Sequence, residues 1–326
     1  VRRRGLAVAL FLIAPLVAEF LLGNLSISAL PALVVLAPLY GGGALLVRES
    51  ARRARRGWPA LLLLGLAYGV VEEGLATQSL FNPDYLRLQM HLLDPAHVAV
   101  LGVGAWWTVY VLTLHVVWSV GVSIALVEAL ARDQPRTPWL GRLGLGVAGA
   151  LFVAGAVATA QFTLRQDPFV ASAPQLAGSV VVATLLVVAA FAWPRWQADR
   201  EAAPVPSPWI VGGLGLAAGS VFLLIPPEWG WWAVAAYLAL EASAFVAAMA
   251  WSRRSAWGRL HELALAGGAA LAYAWHAFLQ QPVVGDKGAV ARIGNAVFAL
   301  ALVALLVAGA RRAATTTSRP FEPLEL

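Results

Sequence analysis

Between Leu6 and Leu22 the only ionisable residue is Glu19, and apolar blocks of this kind recur along the whole chain. Each block runs for about 17–25 residues, the length of helix that crosses a hydrocarbon core about 30 Å thick. In lipid no water is present to bond backbone amides, so such a segment must pair its own N–H and C=O groups, as an α-helix does. The blocks predict spans at roughly 6–22, 28–47, 59–77, 105–130, 143–165, 176–196, 209–225, 230–251, 261–280 and 290–310. Short turns rich in Pro, Gly and Arg separate them. The fold class that follows is all-α, a polytopic transmembrane helical bundle of about ten spans.

Composition agrees with this class. The chain is 60% hydrophobic and 12% charged, against about 45–50% apolar and about 25% charged for a soluble domain. So few charges cannot coat a water-facing surface. Cysteine is absent, which excludes disulfides, thiolate catalysis and thiolate metal sites. The basic start before Leu6 has the charge order of a secretory leader, but Glu19 interrupts the apolar run and Gly23-Asn24-Leu25-Ser26 is a poor cleavage site, so the segment reads as the first span.

The distribution of basic residues sets an orientation. With both termini cytoplasmic, all but Arg87, Arg165, Lys287 and Arg292 of the 23 Lys+Arg residues fall on the inner side, as the positive-inside rule requires. Tryptophans cluster at the expected interfaces, with Trp58, Trp139, Trp193 and Trp257 at the inner one and Trp106, Trp107, Trp231 and Trp232 at the outer one. The net charge of +6 therefore points to lipid and not to nucleic acid. Arg52-Arg53-Ala54-Arg55-Arg56 reads as a cytoplasmic basic loop touching anionic lipid. Gly215 and Gly219 offer a close helix–helix contact, and Gly41-Gly42-Gly43 either loosens or breaks the second helix or packs it tightly. The domain reading is a transmembrane domain over 1–312 with an outer loop at 78–97, followed by a disordered cytoplasmic tail at 313–326. Leucines between the turn signals Asn82-Pro83-Asp84 and Asp94-Pro95 predict a short helix that lies on the outer surface or caps the bundle.

Ionisable groups inside spans cost about 2.5–3.5 kcal/mol on the insertion scale, so they face a cavity or a partner. Glu19, Glu72, Glu73, His115, Glu241, His276 and Asn295 are the intramembrane polar residues here, and all but Glu241 place themselves in the outer half of the membrane by helical rise. Glu128, one turn from Arg132, reads as a snorkelling carboxylate at the inner surface. His115, Ser119 and Ser123 share one helical stripe. Two adjacent glutamates cannot both be ionised cheaply in a low dielectric, so one carries a proton beside a base. With a histidine from the next span, these parts suit water activation. Glu72, Glu73, His115, His276 and Asn295 are accordingly the candidate catalytic residues, with Glu19, Gln78, Asn82 and Ser119 as candidate substrate contacts. The same side chains could hold a divalent metal such as zinc, with Glu73, His115 and His276 the candidate ligands.

The stretches PLYGGGALLVRE (38–49), LAYGVVEEGLATQSLFNP (66–83) and LHVVWSVGVSIALVEAL (114–130) resemble a family of uncharacterised multi-span membrane proteins of high-GC Gram-positive bacteria. That resemblance implies a multi-pass protein of a bacterial plasma membrane and brings no established activity. It draws attention to Glu49, Glu72, Glu73, Gln78, Asn82, His115 and Glu128. The order Glu72-Glu73, His115, His276, Asn295 also resembles the CAAX-processing and bacteriocin-protection (CPBP) intramembrane proteases. In that family an Arg follows the glutamate pair, where Thr77 stands here, and a Phe lies four residues before the first His, where Val111 stands here. Three functions are therefore expected: a membrane-embedded Glu/His-dependent hydrolase with a polar pocket in the outer half of the bilayer, a proton-coupled small-solute transporter, or a non-catalytic membrane component acting through a partner.

Overall fold

The computed structural model describes residues 3–131, 136–194 and 202–316, the side chains of 314–316 excepted. Among them ten helices stand where the apolar blocks predict them. They are α1 (Arg3–Leu21), α2 (Ile27–Arg53), α3 (Trp58–Ala76), α4 (Ala105–Leu130), α5 (Arg142–Gln166), α6 (Ala173–Ala192), α7 (Pro208–Leu224), α8 (Trp231–Ser252), α9 (Arg259–His276) and α10 (Ala289–Thr316). Eight of them are long and apolar enough to cross a membrane. The exceptions are α7, which is shorter, and α9, whose first turn carries Arg259, His261 and Glu262. The tail expected after residue 312 falls partly on the end of α10, and 317–326 lie outside the described residues.

Local chemistry sets the helix ends. Pro59, Pro174 and Pro208 occupy first-turn positions, where a missing N–H costs nothing. Ser172 and Gln175 form a capping box at the start of α6. Gly23 and Gly230 turn the chain at positive φ.

The helices divide into a centre and a rim. α3 and α4 are the most enclosed of the long helices, and α5, α6, α8 and α10 bury only a small part of their surface. That rim of exposed Val, Leu and Phe is what lipid covers in a membrane protein. α4 stands between two cores. Val120, Ile124 and Val127 pack with α1, α2 and α3, whereas Trp118, Val122 and Leu126 pack with α7 to α10.

Glycines allow the closest approaches. Gly215 and Gly219 lie directly against α9 at Leu265, Ala269 and Ala272, and Gly268 of α9 lies against the Gly212 carbonyl. The Gly215–Gly219 pair is thus a true packing ridge. Gly41, Gly42 and Gly43 serve the same end: a side chain would meet the backbone of Phe11, the backbone of Phe152 and the Tyr68 ring, respectively. The second helix is held tightly there, and it does not break.

The segment 78–104, expected on the outer side, differs from its expectation in structure. It contains a single 3-10 turn, Tyr85–Arg87, and a two-residue ladder pairing His97–Val98 with Val103–Gly104. Non-glycine residues at positive φ (Gln78, Leu86, Arg87, Gln89, His91 and Ala96) interrupt any regular helix. Leu92 and Leu93 are nevertheless buried, so the segment caps the bundle with side chains instead of a helix.

A second departure lies at the C-terminal ends of α2 and α4. Glu128 is not a snorkelling carboxylate. It is buried and accepts from Arg52 at 2.9 and 2.7 Å, with Arg48 Nε at 3.0 Å. Arg48 and Glu49 are fully buried and pair at 2.6 Å. The Glu49 carboxylate accepts the backbone N–H groups of Trp139 and Leu140 at 2.9–3.1 Å, and the Arg48 guanidinium lies 3.2 Å from the centre of the Trp139 ring. Other arginines cap helix C-termini: Arg56 donates to the carbonyls of Phe191 and Trp193, and Arg312 donates to Leu130 O at 2.9 Å. Cations there satisfy orphan carbonyls and oppose the helix dipole. The principal contacts of these residues are with protein.

Candidate functional site

Four helices change their winding at the same place in the bundle. Among the described residues the π-helical turns are Leu16–Leu21 in α1, Ala37–Gly41 in α2, Glu72–Ala76 in α3 and Leu114–Val122 in α4. They carry Glu19, Tyr40, Glu72, Glu73, His115 and Ser119, the groups at the centre of the site. A π turn bonds residue i to i+5, so it widens the helix and narrows the angle between consecutive side chains, and such turns concentrate at functional sites. Thr77 N donates to Glu72 O at 2.8 Å in this pattern. On an ordinary helix two neighbouring side chains diverge by about 100°, one residue of 3.6 per turn. Here both glutamates reach one imidazole.

His115 lies between them. Its Nε2 is 2.7 Å from Glu73 Oε1, and its Nδ1 is 3.4 Å from Glu72 Oε2 and 3.4 Å from Ser119 Oγ. All four side chains are buried. The two carboxylates are held differently. Glu73 also accepts from Thr77 Oγ1 at 2.9 Å and from Ser79 Oγ, and Ser79 in turn accepts from Trp107 Nε1 at 3.0 Å. Glu72 Oε2 makes no hydrogen bond.

Aromatic rings wall the imidazole. Tyr40 stacks on it with centroids 6.0 Å apart, and Tyr68 meets it edge-on at 5.7 Å. Gly43 leaves room for the Tyr68 ring, and Gly69 leaves room for His115. Glu19 joins through Tyr40, whose hydroxyl donates to Oε1 at 2.5 Å, while Asn24 donates to Oε2 at 2.6 Å. The donor atoms of Glu72, Glu73 and His115 lie within 4.8 Å of one another, a spacing that suits a metal ion.

Thus Glu19, Glu72, Glu73, His115 and Ser119 converge, and four other candidates stand apart. Gln78 accepts from Ala171 N at 2.7 Å and ties the outer segment to the α5–α6 turn. Asn82 donates to the buried Asp167 at 2.6 Å, on the wall of an outer cleft of about 470 Å³ shared with Arg87 and Phe169. His276 is half-buried and meets Gln280 at 2.9 Å. Asn295 donates to Ala277 O at 2.8 Å, beyond the C-terminus of α9. Of the three expected metal candidates, His276 therefore gives way to Glu72. Glu241 bonds Thr113 at 2.6 Å on the α4–α8 contact and is not part of the cluster.

Sequence reading passed over Tyr40, Ser79 and Trp107. Tyr40 sits just before the triple glycine, a signal that was legible as packing only. Ser79 and Trp107 are 28 residues apart and meet through the fold alone.

A family model described as an uncharacterized membrane protein family matches residues 8–322. No curated protein and no solved structure matches the chain. None of these comparisons shows the likeness to the CPBP proteases.

Proposed function

The chain belongs to this uncharacterized membrane protein family, and from the geometry of its buried cluster we propose that it is a membrane-embedded hydrolase using Glu72, His115 and Glu73. The single observation that carries the reading is the unequal pair of carboxylates on one imidazole. Glu73, held by Thr77 and Ser79, orients His115. Glu72 keeps one carboxylate oxygen without a hydrogen bond. The Glu72 carboxylate takes a proton from water as the water oxygen bonds to the substrate carbonyl carbon. The proton then passes to the leaving group as its bond to that carbon breaks. Ser119 and the two tyrosines provide hydroxyls around the reacting centre.

In this proposal both termini face the cytoplasm of a bacterial cell, the cluster lies in the outer half of the plasma membrane, and the exposed Arg53 and Arg55 face anionic headgroups. Gln78 and Asn82 hold the outer segment under which a substrate enters. His276 and Asn295 act at a distance from the chemistry by shaping the outer end of α9.

The test is hydrolysis of lipidated and transmembrane peptides by the full chain in liposomes. Cleavage by the wild type that is abolished in Glu72→Gln and in His115→Ala supports the reading. Full activity in both variants overturns it. Gradient-driven solute flux that depends on Glu72, with no cleavage, would assign the cluster to transport instead. Action only in the presence of a second protein would assign the chain to a partner-dependent component.

A further inference from the structure

We propose that the Nδ1 side of His115 is a divalent transition-metal site, with Glu72 and His115 as its charged and imidazole ligands, Ser119 as a neutral third, and Glu73 as the carboxylate that orients the histidine from behind.

Three observations lead there. The first is spacing. Two ligands bound at about 2.0–2.1 Å in a tetrahedral arrangement stand about 3.3–3.4 Å apart. His115 Nδ1 stands 3.4 Å from Glu72 Oε2 and 3.4 Å from Ser119 Oγ. A direct hydrogen bond to a carboxylate is shorter, and the opposite nitrogen makes one at 2.7 Å.

The second is the orphaned acceptor. Glu72 Oε2 is buried, stands 3.4 Å from the imidazole Nδ1, and makes no hydrogen bond of normal geometry. A buried carboxylate oxygen left unmade is costly, more so than a neutral group. A divalent ion between it and Nδ1 removes that cost. The Tyr68 hydroxyl, one turn before Glu72, is buried and likewise without a bond of normal geometry. It is the donor that a water or hydroxide on the ion would find.

The third is the opposite edge of the ring. Histidines that bind metals almost always donate the other N–H to a carboxylate or carbonyl, which sets the tautomer and raises ligand basicity. Glu73 stands there, itself held by Thr77 and Ser79. With Nε2–H donated to Glu73, Nδ1 carries the lone pair and faces Glu72. A set of one imidazole, one carboxylate and one hydroxyl, with a position left for water, suits zinc and its neighbours better than calcium or magnesium. This arrangement makes Glu73 an orienting residue, so it differs from one in which all three side chains coordinate.

The site shares residues with the proposed hydrolytic centre, yet it is read without hydrolysis. The experiment uses the full chain in nanodiscs, stripped with chelator and titrated with Co²⁺ alone and then with Zn²⁺ alone. The expected result is one ion per chain, with the visible bands of four-coordinate Co²⁺ that Zn²⁺ displaces. Glu72→Gln and His115→Ala lose the bands. Glu73→Gln keeps one ion per chain but binds it about 10–100-fold more weakly, the usual effect of removing such a partner. A monodisperse wild-type chain that takes up neither ion overturns the proposal, whatever the variants do. So does uptake that survives in a folded Glu72→Gln chain, or a Glu73→Gln chain that behaves like His115→Ala. Peptide cleavage by metal-stripped wild type would leave the hydrolase standing and separate it from the ion. An ion bound as expected with no cleavage would do the reverse.

Discussion

Arg52 grips Glu128 with two parallel hydrogen bonds, 2.9 Å from Nε and 2.7 Å from Nη2, and so joins the C-terminal ends of α2 and α4. Arg48 adds a third contact to the same carboxylate, and Glu49 balances it. A bidentate Arg–carboxylate pair is geometrically demanding, so this contact sets how the two site-bearing helices lie against each other.

Removing Glu128 tests that role. Glu128→Ala leaves Arg48 and Arg52 buried without their shared carboxylate, and breaking a buried pair costs about 3–5 kcal/mol. The expected outcome is a large fall in thermal stability in nanodiscs. Arg55→Ala, at an exposed position, should leave stability unchanged within about 0.5 kcal/mol. Equal melting of the two variants would refute the account.

Glycine packing supplies a second contrast. Gly268→Val drives a branched side chain into the backbone of α7 at Gly212, and overpacking of this kind costs about 1–3 kcal/mol or more. Gly146, in the second turn of α5, has nothing within 4 Å of a would-be Cβ. Gly146→Ala should therefore be neutral or gain up to about 1 kcal/mol from helix propensity. Thermal unfolding of both variants in the same lipid checks the pair.

The outer segment predicts a protease pattern. Arg87 is exposed, and the segment that carries it is tethered by Gln78 to Ala171 and by Asn82 to Asp167. Trypsin added outside right-side-out vesicles should cut at Arg87 and spare Arg55. The Gln78→Ala/Asn82→Ala chain should be cut severalfold faster. Cleavage at Arg55 with Arg87 spared would reverse the proposed orientation.

The two sides of His115 should also separate kinetically. Glu72→Gln removes the proposed base and should lower peptide cleavage by about 10²–10⁴-fold, the usual range for such a group. Ser79→Ala removes one of several donors to Glu73. It should lower cleavage far less while keeping the same substrate preference. Parallel losses in the two variants would show that the carboxylates are not unequal.

Much of this arrangement was legible in advance. All ten helices begin and end near the predicted blocks, because hydrocarbon thickness fixes length and an unpaired amide has no other recourse there. Glu72, Glu73 and His115 stood out because ionisable groups inside such blocks need a reason. Gly215 and Gly219 declared a close contact for a similar reason of size. The misreadings share one cause. Arg52 and Glu128 are 76 residues apart, and each taken alone looked like a charge at a membrane surface. His276 and Asn295 have suitable chemistry, and helical rise assigns them a depth like that of His115, but depth along the normal says nothing of position around the bundle.

The amino-acid sequence alone therefore determined which segments leave water and which side chains become expensive when they do, since both depend on local composition and on helical rise. Tertiary structure alone decided which of those side chains meet. The π turns that bring Glu72 and Glu73 to one imidazole, and the burial of Arg48 and Arg52 against Glu128, arise from packing among four helices. No local pattern encodes an angle between neighbours that are distant in the chain.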